Sequence, residues 1–144
     1  MNSKFHLLAL TLSAGAFAAG IASSRSDAAA PPIAAAEPAP QGNAATGAKL
    51  FLQCRACHTV APSAAHTVGP NLAGVMGAKA ATRPGYNYSP ALKKANLTWD
   101  KATMDAWLTR PAKLVPGNKM AFAGMSNPQQ RADMIAYLSS LKAK

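Results

Sequence analysis

An all-α fold of about four to five helices joined by long loops is what the spacing of apolar residues predicts. Three observations lead there. Helical caps and helical apolar spacing recur between residues 47 and 141, and no segment shows the strict alternation of a strand. Two stretches, 59–88 and 111–126, carry no regular pattern, and loops of that length in a small domain usually serve binding. Residues 54–58 read Cys54-Arg55-Ala56-Cys57-His58, a C-x-x-C-H pentapeptide, which is the attachment pattern of a c-type haem. The expected architecture is therefore a set of helices and long loops wrapped around one covalently bound haem.

The chain has 144 residues, consistent with one domain plus processing segments. Lys4 and the α-amino group precede an uncharged apolar run, 7–22, the layout of an export signal. Small residues at Ala22 and Ser24, or at Ser26 and Ala28, permit cleavage before Arg25 or Ala29. The apolar run falls slightly short of the roughly 20 residues a membrane span needs, yet uncleaved it would act as an anchor through 7–22. Residues 1–28 are thus expected to be an export signal, and residues 29–42, rich in Ala and Pro, a linker that buries too little surface to fold. The folded domain is expected over 43–144.

Within the domain each helix has a local reason. Gly47 to Ala56 reads as the first, with Leu50, Phe51 and Cys54 on one face. Ser89 and Pro90 are an N-cap and an N1 proline opening a short helix to about Ala95. Asp100 to Thr109 follows, with acids in its first half and Arg110 at its end, a polarity that suits the macrodipole; Pro111 stops it. Asn127-Pro128-Gln129-Gln130 reads as a capping-box start, and Met134, Ile135, Leu138 and Leu141 then form one apolar stripe.

The whole chain carries 15 Lys and Arg against five acids, a net charge of +10. From Gln41 onward the only acids are Asp100, Asp105 and Asp133, so the positive charge belongs to the domain. Such a charge suits an acidic protein, an anionic membrane surface or nucleic acid. Export and the haem motif argue against nucleic acid.

Other readings of the pentapeptide are weaker. A redox disulfide between Cys54 and Cys57 would need a strand before the motif, where the sequence reads as helix. Zinc wants four ligands, and the chain holds two cysteines in all. Haem attachment explains the spacing: two thiols three residues apart can each add to a vinyl group, leaving His58 placed under the iron. One axial position then remains. Met76, Met104, Met120, Met125, Met134 and His66 are the candidates. Met104 and Met134 lie within helical patterns and read as core. Met120 follows Pro116-Gly117-Asn118-Lys119, a stretch that can wrap across a ring, and Met125 in the same loop competes with it. His66, eight residues after His58, would struggle to reach the far face and reads as a loop-pinning hydrogen bonder.

On these residues the chain resembles the class I cytochromes c, of the bacterial cytochrome c2 and mitochondrial type, from about Gly47 to Leu141. Gly47 and Phe51 match the family's first helix, and Tyr137 with Leu138 its last; there the two helices cross closely at the glycine. Val68-Gly69-Pro70-Asn71-Leu72 resembles the loop whose proline carbonyl orients the ligating histidine, which implies that Pro70 serves His58. Tyr88 and Trp99 fall where the family hydrogen-bonds a haem propionate. Pro116 to Phe122 resembles the loop that supplies the axial methionine, which implies Met120 as the second metal ligand beside His58. Trp107 falls where an aromatic packs beside that methionine. There are departures: Ala78 stands where many relatives carry an Arg near a propionate, leaving open whether Lys79 substitutes, while Leu92 replaces an Asn and Asn118 a Thr.

The resemblance implies a periplasmic mono-haem electron carrier rather than an enzyme, with one haem c bound through Cys54 and Cys57. Its haem site would comprise Cys54, Cys57, His58, Pro70, Tyr88, Trp99 and Met120. Expected partners are redox proteins: a cytochrome bc1-type donor, a terminal oxidase, a reaction centre or a periplasmic dehydrogenase. A monomer is expected. The alternatives are a peroxidase-like haem enzyme with an open iron, which needs Met120 absent or labile, and a disulfide oxidoreductase.

Overall fold

The computed structural model describes residues 40–142. The export signal and most of the expected linker lie outside the described residues. Five α-helices follow in order: α1 (Ala44–Leu50), α2 (Pro90–Lys94), α3 (Lys101–Thr109), α4 (Pro111–Leu114) and α5 (Pro128–Ser140). A 3-10 turn, Phe51–Gln53, continues α1 toward the pentapeptide. Among the described residues there is no strand; one isolated bridge pairs Lys79 with Thr98.

The caps explain where the helices begin. Asn43 starts α1 by accepting from the N–H groups of Ala45 and Thr46 at 2.9 and 3.0 Å. Ser89 Oγ accepts from Leu92 N at 3.1 Å, Asp100 from Thr103 N at 2.7 Å, and Asn127 from Gln130 N at 3.1 Å. Proline occupies the first turn of α2, α4 and α5, where a missing N–H costs nothing. Two details differ from the sequence reading. The first helix begins upstream, at Ala44, and tightens to 3-10 at Phe51 rather than running on to Ala56. Pro111 does not only end α3: Arg110 becomes extended (φ −166°, ψ 94°), and Pro111 opens α4 inside a stretch expected to be loop.

The core forms where α1, α3 and α5 meet. Phe51, Met104, Trp107, Leu108, Met134, Ile135 and Leu138 are buried there, joined by Val75, Trp99, Val115 and Met125 from the loops. Phe51 stacks at a tilt on Tyr137, with centroids 5.2 Å apart, and Trp99 on Trp107 at 5.3 Å. The N-terminal end of α1 is also tied to α5. Asn43 N–H donates to Asp133 Oδ1 at 2.7 Å, and Gln129 Nε2 bridges the same oxygen at 3.0 Å and the Gln41 carbonyl at 2.8 Å. Asp133 is buried, and both bonds to it are accepted by its Oδ1.

A candidate haem cavity

The loop 59–88 is held by side chains rather than by regular structure. Asn71, buried, donates through Nδ2 to the carbonyls of Ala61 and Ala64 and accepts from Ala73 N. His66 joins two distant parts of the loop. Its Nδ1 accepts from Asn71 N at 2.9 Å, and its Nε2 lies 2.9 Å from the Pro84 carbonyl. The first contact requires a bare Nδ1, so Nε2 carries the proton and donates it. His66 is thus the loop pin its position suggested.

This loop and the methionine loop, with the 3-10 turn after α1 and with α3 and α5, line an open cavity of about 290 Å³. Cys54, Cys57, His58, Pro70, Tyr88, Trp99 and Met120, dispersed over 67 positions of the sequence, all line it. Most of the remaining wall is apolar, with Phe51, Leu72, Val75, Leu92, Trp107 and Phe122 among its residues. Charge and hydrogen-bonding groups gather where Arg83, Tyr86, Tyr88 and Ser89 reach it.

At the pentapeptide, His58 Nδ1 donates to the Pro70 carbonyl at 2.7 Å. Nε2 is left with the lone pair a metal needs. Burial holds His58 below the ordinary histidine range, favouring the neutral ring, while the Pro70 bond opposes this. A Cβ at position 69 would overlap His58 Cε1 and lie 2.7 Å from Nδ1, so only glycine lets the Pro70 segment close on the imidazole. Both cysteines are free thiols, half-buried, and burial followed by the neighbouring Cys57 raises the Cys54 thiol above its usual value.

The methionine loop is shaped by Asn118. Its Nδ2 donates to the Val115 carbonyl at 2.9 Å and its Oδ1 accepts from Met120 N at 2.8 Å. Lys119 Nζ reaches across to the Asn87 carbonyl at 3.0 Å. The departure from Thr at position 118 therefore gives the loop an amide clamp, which the sequence pattern did not disclose. Met125, the competitor for the iron, lies elsewhere: it is buried, its N–H donates to Leu108 O at 2.8 Å, and it does not line the cavity. Met104 and Met134 do reach the cavity wall, but from inside α3 and α5, where they are 4% and 1% exposed.

The donor set fits a haem. Two thiols and an oriented imidazole share one apolar cavity with a loop thioether, and a polar edge is available for carboxylates. A helical domain with this constellation defines a c-type haem protein. Residues 44–142 match the cytochrome c family model. Over 99 residues the chain is 50% identical to cytochrome c2 of Rhodomicrobium vannielii, covering 69% of this chain and 79% of that one. It is 44% identical to cytochrome c of Sesamum indicum over 106 residues, 73% of this chain and 96% of that one. The solved structure of cytochrome cH from Methylobacterium extorquens superposes with a TM-score of 0.64 at 51% identity, covering 67% of this chain and 97% of the other. The chain belongs to the cytochrome c family: it is a mono-haem electron carrier, not an enzyme, with Cys54 and Cys57 as the pair for one covalent haem c. Its partners are redox proteins. Among the described residues no helix is long and apolar enough to cross a membrane.

Proposed function

We propose that this chain is a periplasmic carrier whose haem iron would be held by His58 and Met120. The observation that carries this reading is the meeting in one cavity of Met120, on its clamped loop, and His58, oriented by Pro70. When bound, the haem supplies reversible one-electron chemistry between Fe(III) and Fe(II). Cys54 and Cys57 fix its position, and Pro70 keeps the His58 ring from turning. Tyr88 and Trp99 are the donors for a propionate. Met120, a soft thioether, together with the apolar wall of Phe51, Leu72 and Trp107, favours the less charged ferrous state and so raises the potential. With His58 and Met120 both holding the iron, no position would be left for a substrate, which separates this reading from a peroxidase-like enzyme. Residues 1–28 serve export, 29–42 form a linker and 43–144 the carrier domain. The partners are a cytochrome bc1-type donor and an oxidase, reaction centre or periplasmic dehydrogenase.

The visible spectrum tests the ligands. Met120→Ala is expected to remove the long-wavelength Met–Fe band of the oxidised protein and to lower the potential, whereas Met125→Ala retains the band. The reverse outcome overturns the assignment. Fractionation of the host with haem staining, and N-terminal sequencing of the native protein, test the location: a start near Arg25 or Ala29 supports a cleaved, diffusing carrier, and a start at Met1 a tethered one.

A further inference from the structure

The charged and titratable groups that line the cavity are Cys54, Cys57, His58, Lys79, Arg83, Tyr86, Tyr88 and Lys119. Most have another engagement. Tyr86 donates its hydroxyl to the Val68 carbonyl at 2.6 Å, and Lys119 is bound to the Asn87 carbonyl. Lys79 is exposed, and its Nζ points to Asn96 Oδ1 at 3.4 Å. Arg83 differs from both lysines. It is half-buried, and its Nη2 donates to the carbonyl of Ala73, a residue only 1% exposed.

That bond occupies one of the five N–H groups of a guanidinium. No carboxylate among the described residues meets the others. Asp100 caps α3, Asp105 pairs with Arg131, and Asp133 binds Asn43 and Gln129. A guanidinium that lines the cavity with N–H groups free of any carboxylate can pair with an anion bound there. The surroundings fit a carboxylate. Tyr88 is buried beside Arg83, whose charge counteracts the upward push of burial on the tyrosine hydroxyl. Trp99 lines the same cavity, and its indole N–H has no acceptor among the described residues.

We propose that Arg83 is the counter-ion of a haem propionate, supplying the positive charge that Ala78 cannot, and that Lys79 does not take this part. This rests on the haem reading of the cavity. Arg83 acts as a positioning and tuning residue: a fixed cation beside the propionate keeps that group ionised and holds the local field constant as pH changes.

The test is spectroelectrochemical titration of the holoprotein's midpoint potential against pH, with denatured samples stained for covalent haem. The wild-type potential is expected to stay flat between about pH 5 and 8. Arg83→Gln removes a charge that disfavours Fe(III), so the equilibrium for reduction should fall by up to about tenfold, which is 59 mV for one electron. Its propionate should also bind a proton more readily, so the potential climbs as pH falls through that window. Arg83→Lys should remain nearly flat, and adding Ala78→Arg to Arg83→Gln should restore flatness. If Arg83 only braces the loop at Ala73, Arg83→Gln lowers the melting temperature but leaves the curve flat, and the proposal fails. Lys79→Gln provides an independent arm: a pH-dependent potential in that variant assigns the counter-ion to Lys79 and overturns the proposal even if Arg83→Gln does not fold. Absence of covalent haem in the wild-type protein would refute the underlying cavity reading instead.

Discussion

Gly47 on α1 lies so close to the Asp133 carbonyl on α5 that a Cβ at position 47 would overlap that oxygen and fall 2.7 Å from Tyr137 Cβ. The missing side chain sets the distance between the first and last helices. That distance in turn lets the Asn43 N–H reach Asp133 and brings Phe51 onto Tyr137. Because the pentapeptide begins just after Phe51 and the 3-10 turn, the same approach also fixes the start of the attachment site relative to α5.

Gly47→Ala should therefore be far costlier than an alanine at an open glycine. The clash is with backbone, which cannot swing aside, and overpacking of this kind costs about 3 kcal/mol. Gly77 has φ +81° with nothing near its missing Cβ, so Gly77→Ala meets only backbone strain of about 1–2 kcal/mol. Denaturant unfolding of the two holoproteins measures the difference; equal losses would show that the helix crossing is not the tight contact.

Asn118→Ala should release the methionine loop. The bond from Met120 N–H to Asn118 Oδ1 is lost, and a bond of about 1–1.5 kcal/mol corresponds to roughly tenfold faster exchange of that amide. Hydrogen exchange read at Met120 reports this directly. Unchanged protection would mean that the clamp contributes nothing in solution.

Asp100 gives a pH dependence of known sign. Its bond from Thr103 N–H, first, and the Thr103 side chain hold the carboxyl below its ordinary 3.8. The folded value is the depressed one, so the stabilisation is fully present above 3.8 and is lost as pH falls through the folded value. Asp100→Asn retains a capping oxygen but cannot titrate, so its melting temperature should fall less steeply on acidification than the wild type's. Asp100→Ala should be destabilised at neutral pH as well. Thermal melts between about pH 5 and 2 distinguish these variants, the window following from the carboxylate range.

Docking should distinguish basic residues by position. Lys113, near the end of α4, is closer in sequence to the methionine loop than Lys93 and Lys94 on α2, and Lys119 lies within that loop and lines the cavity. Attraction between exposed charges is screened beyond about 8 Å at physiological salt, so proximity to the contact decides which charges count. Lys113→Glu and Lys119→Glu should slow association with an acidic redox partner more than Lys93→Glu or Lys94→Glu. Stopped-flow rates across ionic strength measure this. Equal effects would indicate that net charge alone steers the encounter.

Local chemistry was the readable part of this chain. Ser89-Pro90 and Asn127-Pro128 announce helix starts because the cap and the N1 proline act within one turn. Cys54, Cys57 and His58 were legible as a unit because their spacing itself carries the chemistry. The upstream start of α1 was harder to read, since Ala44-Ala45-Thr46 has no apolar stripe and Asn43 alone marks it. The α4 helix was missed because a proline after Arg110 reads as a stop, while the backbone break at Arg110 makes it also a start. Arg83 and Asn118 were illegible as site residues for a different reason. Their significance depends on the Ala73 and Val115 carbonyls and on a cavity assembled from distant segments.

The amide clamp at Asn118 and the glycine-tight seat of His58 have a kinetic consequence. Both groups proposed for the iron are braced by bonds within the protein: His58 by Pro70, and the backbone of Met120 by Asn118. Groups braced in this way need little rearrangement when an electron arrives or leaves, so the energy of reorganisation is small. If those groups hold the iron, the intrinsic transfer step is expected to be fast in both directions, and release from each partner is expected to govern turnover.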